Sequence, residues 1–117
     1  MARRDISGVV DFGYLETYAG GDLSLVEEVP GLFQEQAKLW GPMLDASAEG
    51  WKDAAHTLKG AARGIGAIAL GAVCERAEIE GPQTLPAVHA ALDAALADVA
   101  AYLHELALQS LRNSSNR

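Results

Sequence analysis

The chain has 117 residues and a formal net charge of −7, a length that fits one domain with a single hydrophobic core and excludes two. Half of the residues are apolar, β-branched and aromatic residues are few, and alanine is abundant. This composition favours helices over strands. The acidic charge argues against general binding to nucleic acid or to an anionic membrane.

The chain has the features that we expect of a soluble, cytoplasmic protein. Residues 1–5 lack the apolar core of a signal peptide. The longest stretch without a charged residue or a histidine, 64–74, is much shorter than the roughly 20 residues that a membrane helix needs. Cys74 is the only cysteine, which excludes an internal disulfide and suits a reducing compartment. We expect it to be a small buried hydrophobe.

A loose lead-in, residues 1–10, is predicted before a short first helix. Asp11 can cap this helix over residues 12–19, and the glycine pair that follows stops it. At the other end, the polar residues 111–117 predict a flexible tail. The folded domain is therefore predicted to span residues 11–110.

The second helix is predicted from apolar residues that recur at a helical period. Either Asp22 or Ser24 can be its N-cap, and Ser24 with a glutamate three residues later fits a capping box. Pro30-Gly31 should kink this helix or open a turn in it, and Gly41-Pro42 can end it.

Three further helices are predicted over about 51–65, over 68–80 and from Thr84 onward, separated by turns that contain glycine or proline. No stretch alternates polar and apolar residues as a half-buried strand does. We therefore predict an all-α fold, an antiparallel four-helix bundle with the short first helix capping one end. Because such a bundle buries its own apolar faces, we expect a monomer.

His56 is the most informative residue of the third helix. On a helical wheel of about 100° per residue it points away from the core face, toward solvent. Gly60, four residues later, lies beside it without a side chain, and Gly64 extends this bare strip by one turn. Three cations share this side of the helix: Lys52, Lys59 and Arg63.

This arrangement suits phosphoryl chemistry. A neutral imidazole nitrogen is a good nucleophile toward a phosphoryl group near neutral pH, and nearby cations stabilise the charge of the product. The bare strip lets a second protein bring its own phosphorylated residue close. The alternative is an ordinary surface histidine, with glycines that allow close helix packing. The sequence has no metal-binding spacing and no phosphate-binding loop, so we predict no metal site and no ATP-dependent kinase activity.

The run from His56 to Ala67, His-Thr-Leu-Lys-Gly-Ala-Ala-Arg-Gly-Ile-Gly-Ala, closely resembles the signature of histidine-phosphotransfer (HPt) domains. In that family an alanine-histidine pair precedes a Leu-Lys-Gly run, and a Gly-Ala pair ends the motif. Residues 12–22 also resemble the first helix of the family and its Gly-Gly-Asp turn, and residues 72–76 resemble part of the following helix. The resemblance covers about residues 11–106.

The resemblance implies an intermediate of a two-component phosphorelay. His56 would accept the phosphoryl group, Lys59 would contact it, and Gly60 would leave room for the partner. The implied partners are response-regulator receiver domains, which supply the aspartate and the Mg²⁺, and a hybrid histidine kinase. The chain itself would need no cofactor.

Five further residues are expected at the partner surface. Two of them are tyrosines of the first helix, where receiver docking takes place in the family, and core packing explains these tyrosines equally well. The five residues are Lys52, Arg63, Gly64, Tyr14 and Tyr18.

Two departures from the family pattern bear on the site. Ala61-Ala62 stands where a serine is common, which removes a possible hydroxyl bond to the imidazole or to the bundle. Glu78 stands where some relatives have glutamine. Because a carboxylate repels a phosphoryl group, we expect Glu78 either to point elsewhere or to tune the lifetime of the phosphorylated state.

Three functions fit these observations. The first is a phosphocarrier, not a true enzyme, that takes a phosphoryl group from a receiver aspartate onto His56 and passes it to a response regulator. The second is a binding module of the same fold that docks and inhibits a kinase or receiver without being phosphorylated. The third is a structural or dimerising bundle. Phosphate incorporation that is lost in His56→Gln separates the first from the other two.

Overall fold

The computed structural model describes residues 10–115, and all regular structure in this range is helical, as predicted. The α-helices are α1 (Phe12–Ala19), α2 (Leu23–Trp40), α3 (Trp51–Ile65), α4 (Ile68–Glu80) and α5 (Leu85–Ser115). Short 3-10 turns follow α2, at Gly41–Met43, and precede α5, at Pro82–Thr84. Apart from Val10, the predicted lead-in lies outside the described residues.

Helices α2 to α5 form the predicted four-helix bundle. Each packs against its neighbours in the chain, and α5 closes the ring against α2. The buried stripe of α5 shows how the sequence dictates this packing, because its members recur every three or four residues and so share one face of the helix. They are Leu85, Val88, Leu92, Ala95, Val99 and Tyr102.

Helix α1 covers the end of the bundle where α3 leads into α4. Asp11 caps α1 as predicted, since its side chain accepts a hydrogen bond from the Tyr14 amide. Phe12 stacks on Tyr102 of α5 with ring centroids 3.9 Å apart. The Tyr102 hydroxyl donates to Glu16 Oε2 at 2.7 Å. A ring stack and a hydrogen bond thus fix the short helix to α5.

Helix α2 differs from its prediction in two respects. Asp22 is the N-cap, because its carboxylate accepts a hydrogen bond from the Ser24 amide at 3.0 Å, so the capping box at Ser24 is wrong. Pro30 lies inside a continuous helix, so the turn predicted at Pro30-Gly31 is also wrong. Pro30 is fully buried, and the packing of its ring compensates for the backbone hydrogen bond that a proline cannot donate.

Helix α5 extends further than expected. It continues to Ser115, through residues for which we predicted a flexible tail, although its last contacts with the core are those of Leu103 and Leu106. Its 31 residues reach about 46 Å at about 1.5 Å per residue. The described chain is 55 Å long and only 24 and 21 Å across, so α5 projects beyond the shorter helices.

Within residues 10–115, one segment is long and apolar enough to cross a membrane by length and composition, Pro82–Asn113. The search of the sequence for uncharged stretches missed this segment, because the segment contains charged residues. In the structure 33% of its most apolar 18-residue window is buried inside the bundle, and one helix of this kind does not establish a membrane span.

The turn between α3 and α4 depends on a glycine. Gly66 ends α3 in the left-handed conformation, with φ of 84°, and the Ala67 amide donates to the Ala62 carbonyl at 2.8 Å, a Schellman motif. The Gly66 carbonyl accepts a hydrogen bond from the Asp11 amide at 3.0 Å. A Cβ at Gly66 would lie 2.8 Å from the Asp11 carbonyl oxygen. Both the backbone conformation and the close approach of the chain before α1 therefore require glycine here.

We expect Gly66→Ala to lower the free energy of unfolding by about 1–3 kcal/mol, because alanine is strained in the left-handed region and its methyl group would displace Asp11. Gly64→Ala is the matched control, since a Cβ there meets nothing within 4 Å, and it should be neutral or stabilising by up to about 1 kcal/mol. Urea unfolding followed by circular dichroism measures both variants. Equal stabilities would contradict the packing described for this turn.

Candidate functional site

His56 lies in the middle of α3 and faces solvent as predicted. Its side chain is 70% exposed, whereas Ala55 and Leu58 on the same helix are fully buried. The separation follows from the one-sided apolar pattern of α3, which turns one face of the helix into the core and the opposite face to water.

Glu78 of α4 lies opposite His56 and Lys59. One carboxylate oxygen is 2.8 Å from Nδ1 of His56, and the other is 2.6 Å from Nζ of Lys59. The side chains of Glu78 and Lys59 are both 16% exposed, so this pair is well shielded from water. The expectation that Glu78 points elsewhere is wrong, because the carboxylate binds both the imidazole and the ammonium group.

The carboxylate determines which imidazole nitrogen is available. Partial burial alone would raise the pKa of Glu78, but hydrogen bonds from Lys59 and His56 outweigh this effect and hold the pKa below its ordinary value. The ionised carboxylate can only accept, so the hydrogen bond places a proton on Nδ1 of His56. In the neutral imidazole the free lone pair then belongs to Nε2.

The surface beside His56 is open. A Cβ added at Gly60 or at Gly64 would meet nothing within 4 Å. Neither glycine is therefore needed for close packing between helices, and that alternative interpretation is wrong for both. Their effect is to leave a strip of bare backbone next to the imidazole.

The other two cations of α3 are less closely tied to the imidazole. Arg63 pairs with Glu75 of α4 at 3.0 Å, two turns along α3 from His56. Lys52 is exposed, one turn before His56. Lys59 is thus the cation that shares a direct bonding partner with the histidine.

The two tyrosines expected at the partner surface both belong to α1. Tyr14 is 52% exposed, so core packing does not explain it. The side chain of Tyr18 lies outside the described part of the structure. Nothing in the described contacts ties Tyr14 directly to His56, and its docking role stays a prediction.

Four large exposed apolar side chains on α2 and α4 were missed by the sequence reasoning. They are between 57% and 78% exposed, and on a helical wheel each falls outside the stripe that its own helix buries. An apolar residue outside the buried stripe of its own helix is the sequence pattern from which their exposure could have been predicted. The residues are Leu32 and Leu39 of α2 and Ile68 and Ile79 of α4.

Cys74 and His89 have structural roles away from His56. Cys74 is buried as predicted, and burial raises the pKa of its thiol to about 11, which keeps it unreactive. Nε2 of His89 donates to the Leu44 carbonyl at 2.7 Å and ties α5 to the loop after α2. Among residues 10–115, no group of three or more His, Cys, Asp or Glu side chains is placed to hold a metal ion.

Comparisons with known proteins identify the family. The Hpt domain family matches residues 24–102, which is more than half of the chain. The crystal structure of the histidine phosphotransferase ShpA from Caulobacter crescentus is similar to this one with a TM-score of 0.81 and 59% sequence identity, over 89% of this chain and 99% of that one. No curated protein sequence matches. The chain therefore belongs to the Hpt domain family, the histidine-phosphotransfer domains of two-component phosphorelays.

Proposed function

We propose that this protein is a phosphocarrier that accepts a phosphoryl group from a receiver-domain aspartate onto Nε2 of His56 and passes it to a response regulator. The observation that carries the proposal is the exposed imidazole, held through Nδ1 by Glu78 at 2.8 Å beside a strip of bare glycine backbone. In the neutral form of the imidazole, this arrangement leaves an accessible Nε2 lone pair that a second protein can approach.

The proposed transfer is a reversible displacement at phosphorus. The Nε2 lone pair forms a bond to phosphorus while the bond to the aspartate oxygen breaks, and its electron pair returns to the carboxylate of the receiver. The imidazole gains positive charge in this step, and the ionised Glu78 at Nδ1–H stabilises that charge. The Mg²⁺ belongs to the receiver and neutralises charge on the transferring group, so we propose no cofactor for this chain.

Lys59 is proposed to exchange partners during the cycle. Before transfer its ammonium group pairs with Glu78 at 2.6 Å. A phosphoryl group on Nε2 adds up to about two negative charges, which compete with Glu78 for the ammonium group. Glu78 then keeps the Nδ1 proton while Lys59 binds phosphoryl oxygens. The carboxylate would therefore tune the lifetime of the phosphohistidine through its competition for Lys59.

The partners proposed are a hybrid histidine kinase, through its receiver domain, and a response regulator. Tyr14, Tyr18, Lys52, Arg63 and Gly64 are proposed to contact them. We further propose that the protein works as a monomer, because its four long helices bury a common core without a second chain, and that it works in the cytoplasm.

His56→Gln should reduce phosphoryl transfer from a receiver domain to background, because glutamine lacks a nucleophilic nitrogen. The measurement is transfer from a phosphorylated hybrid-kinase receiver, followed on a phosphate-retaining gel, with wild type carrying an acid-labile, base-stable label. Equal labelling of the variant would mean that a residue other than His56 accepts the phosphoryl group. Binding without labelling, across a panel of receivers, would favour the docking inhibitor instead.

Gly60→Ala should stabilise the protein and slow the transfer. Replacing an exposed glycine inside a helix gains about 0.5–1 kcal/mol, but the new methyl group beside His56 holds the partner back, and a misplacement of about 1 Å costs up to about a hundredfold in rate. Gly31→Ala is the matched control, because a Cβ in α2 also meets nothing within 4 Å. It should stabilise the fold without slowing transfer. An unchanged transfer rate in Gly60→Ala would contradict the access role.

Glu78→Gln should slow the loading of His56 by about tenfold, because the developing positive charge loses its ionised partner. Its effect on stability should depend on pH. The lowered pKa of Glu78 means that the carboxylate stabilises the fold above its ordinary pKa of 4.5 and that this stabilisation is lost as the pH falls through the lowered value.

Thermal unfolding of wild type and Glu78→Gln between pH 7 and pH 3 measures this dependence. The difference between the two midpoints should be present at pH 7 and should shrink toward the acidic end. Glu75→Gln is the control, since its pair with Arg63 is about half exposed and contributes little. A difference that stays constant with pH would contradict the ionised bridge.

A further inference from the structure

Two exposed isoleucines lie on the outer face of α4. Ile68 is 71% and Ile79 is 78% exposed, although both are large apolar residues that water solvates poorly. They are 11 positions apart, close to three turns of about 3.6 residues, so they project from nearly the same side of the helix. We call this pair the isoleucine ridge.

The isoleucine ridge lies beside two glutamates of α4 that bind residues of α3. Glu78 reaches across to His56 at 2.8 Å, and Glu75 reaches across to Arg63 at 3.0 Å. On a helical wheel of about 100° per residue, the ridge is the next row outward from these two glutamates. It therefore runs alongside the histidine and the cations of α3.

Ile79 lies within the area that a partner at His56 must cover. The carboxylate of Glu78 contacts the imidazole at 2.8 Å. A glutamate side chain spans about 5 Å and the next Cα lies about 3.8 Å away, so the Cα of Ile79 is within about 12 Å of the imidazole. A specific interface covers about 800 Å² on each partner, a disc of about 16 Å radius. A disc centred on His56 includes Ile79.

The charges around the isoleucine ridge are paired with one another. Arg63 binds Glu75 at 3.0 Å, and Arg76 binds Glu80 at 3.4 Å. Pairs of opposite charge produce little net field at a distance. A protein that approaches this flank therefore gains mainly by covering apolar surface, and this contribution should be insensitive to salt.

We propose that the isoleucine ridge is a docking surface for the receiver domain that exchanges phosphate with His56, and that it sets much of the receiver affinity. The inference rests on the proposed function. A receiver is the occupant because its aspartate must come within bonding distance of Nε2, which brings its surface over this flank of α4. A second copy on the same ridge would instead cover His56 and block transfer.

The test is the double variant Ile68→Gln, Ile79→Gln. Glutamine is a good helix former, so neither replacement should disrupt α4. The probe is the receiver domain that loads wild-type His56 fastest. Its Kd for the double variant should rise about tenfold, as expected for the loss of apolar interface contacts. The transfer rate at saturating receiver and the unfolding midpoint should match wild type. Leu108→Gln on the projecting part of α5, 43% exposed, is the control and should leave the Kd unchanged.

An unchanged Kd for the double variant, with normal loading of wild type, would overturn the docking ridge and leave the proposed function intact. Failure of wild type to accept phosphate from any receiver would contradict the proposed function, and with it the docking role of the ridge. Self-association of wild type that the double variant abolishes, without any change in receiver affinity, would assign the ridge to a second copy and overturn the proposal.

Discussion

The reversal of the chain at Gly66 is the constraint on which the site depends. Its left-handed conformation turns α4 back along α3, so His56, about three turns before the glycine, faces Glu78, about three turns after it. The same residue accepts the hydrogen bond that anchors the start of α1. One glycine thus fixes both the capped end of the bundle and the register of the histidine against its carboxylate.

This register gives the carboxylate two partners with different tasks. Nδ1 of His56 donates to one carboxylate oxygen, and the ammonium group of Lys59 binds the other oxygen. Because both bonds end on one ionised carboxylate, a change in charge at His56 changes the strength of the bond between Glu78 and Lys59. In the function that we propose, the receiver covers both the glycine strip and the isoleucine ridge.

Local rules predicted much of the architecture. The bounds of α1, α3 and α4 follow from caps, glycines and helical periodicity, and the exposure of His56 follows from the buried face of α3. The contact between Glu78 and His56 could not be predicted from the sequence around either residue, because it joins residues 22 positions apart and depends on the turn between them. Pro30 was misjudged because burial in the core overrides its low helix propensity. The resemblance of the histidine motif identified the family, whereas spacing alone left an ordinary surface histidine open.

The most direct test of the central claim is NMR of the imidazole nitrogens of His56 after loading from a phosphorylated receiver. We predict that phosphorus is bonded to Nε2 and that Nδ1 carries a proton in both the free and the phosphorylated protein, with that proton shared with Glu78. Phosphorus on Nδ1, or on a residue other than His56, would contradict the proposed role of the Glu78 bridge.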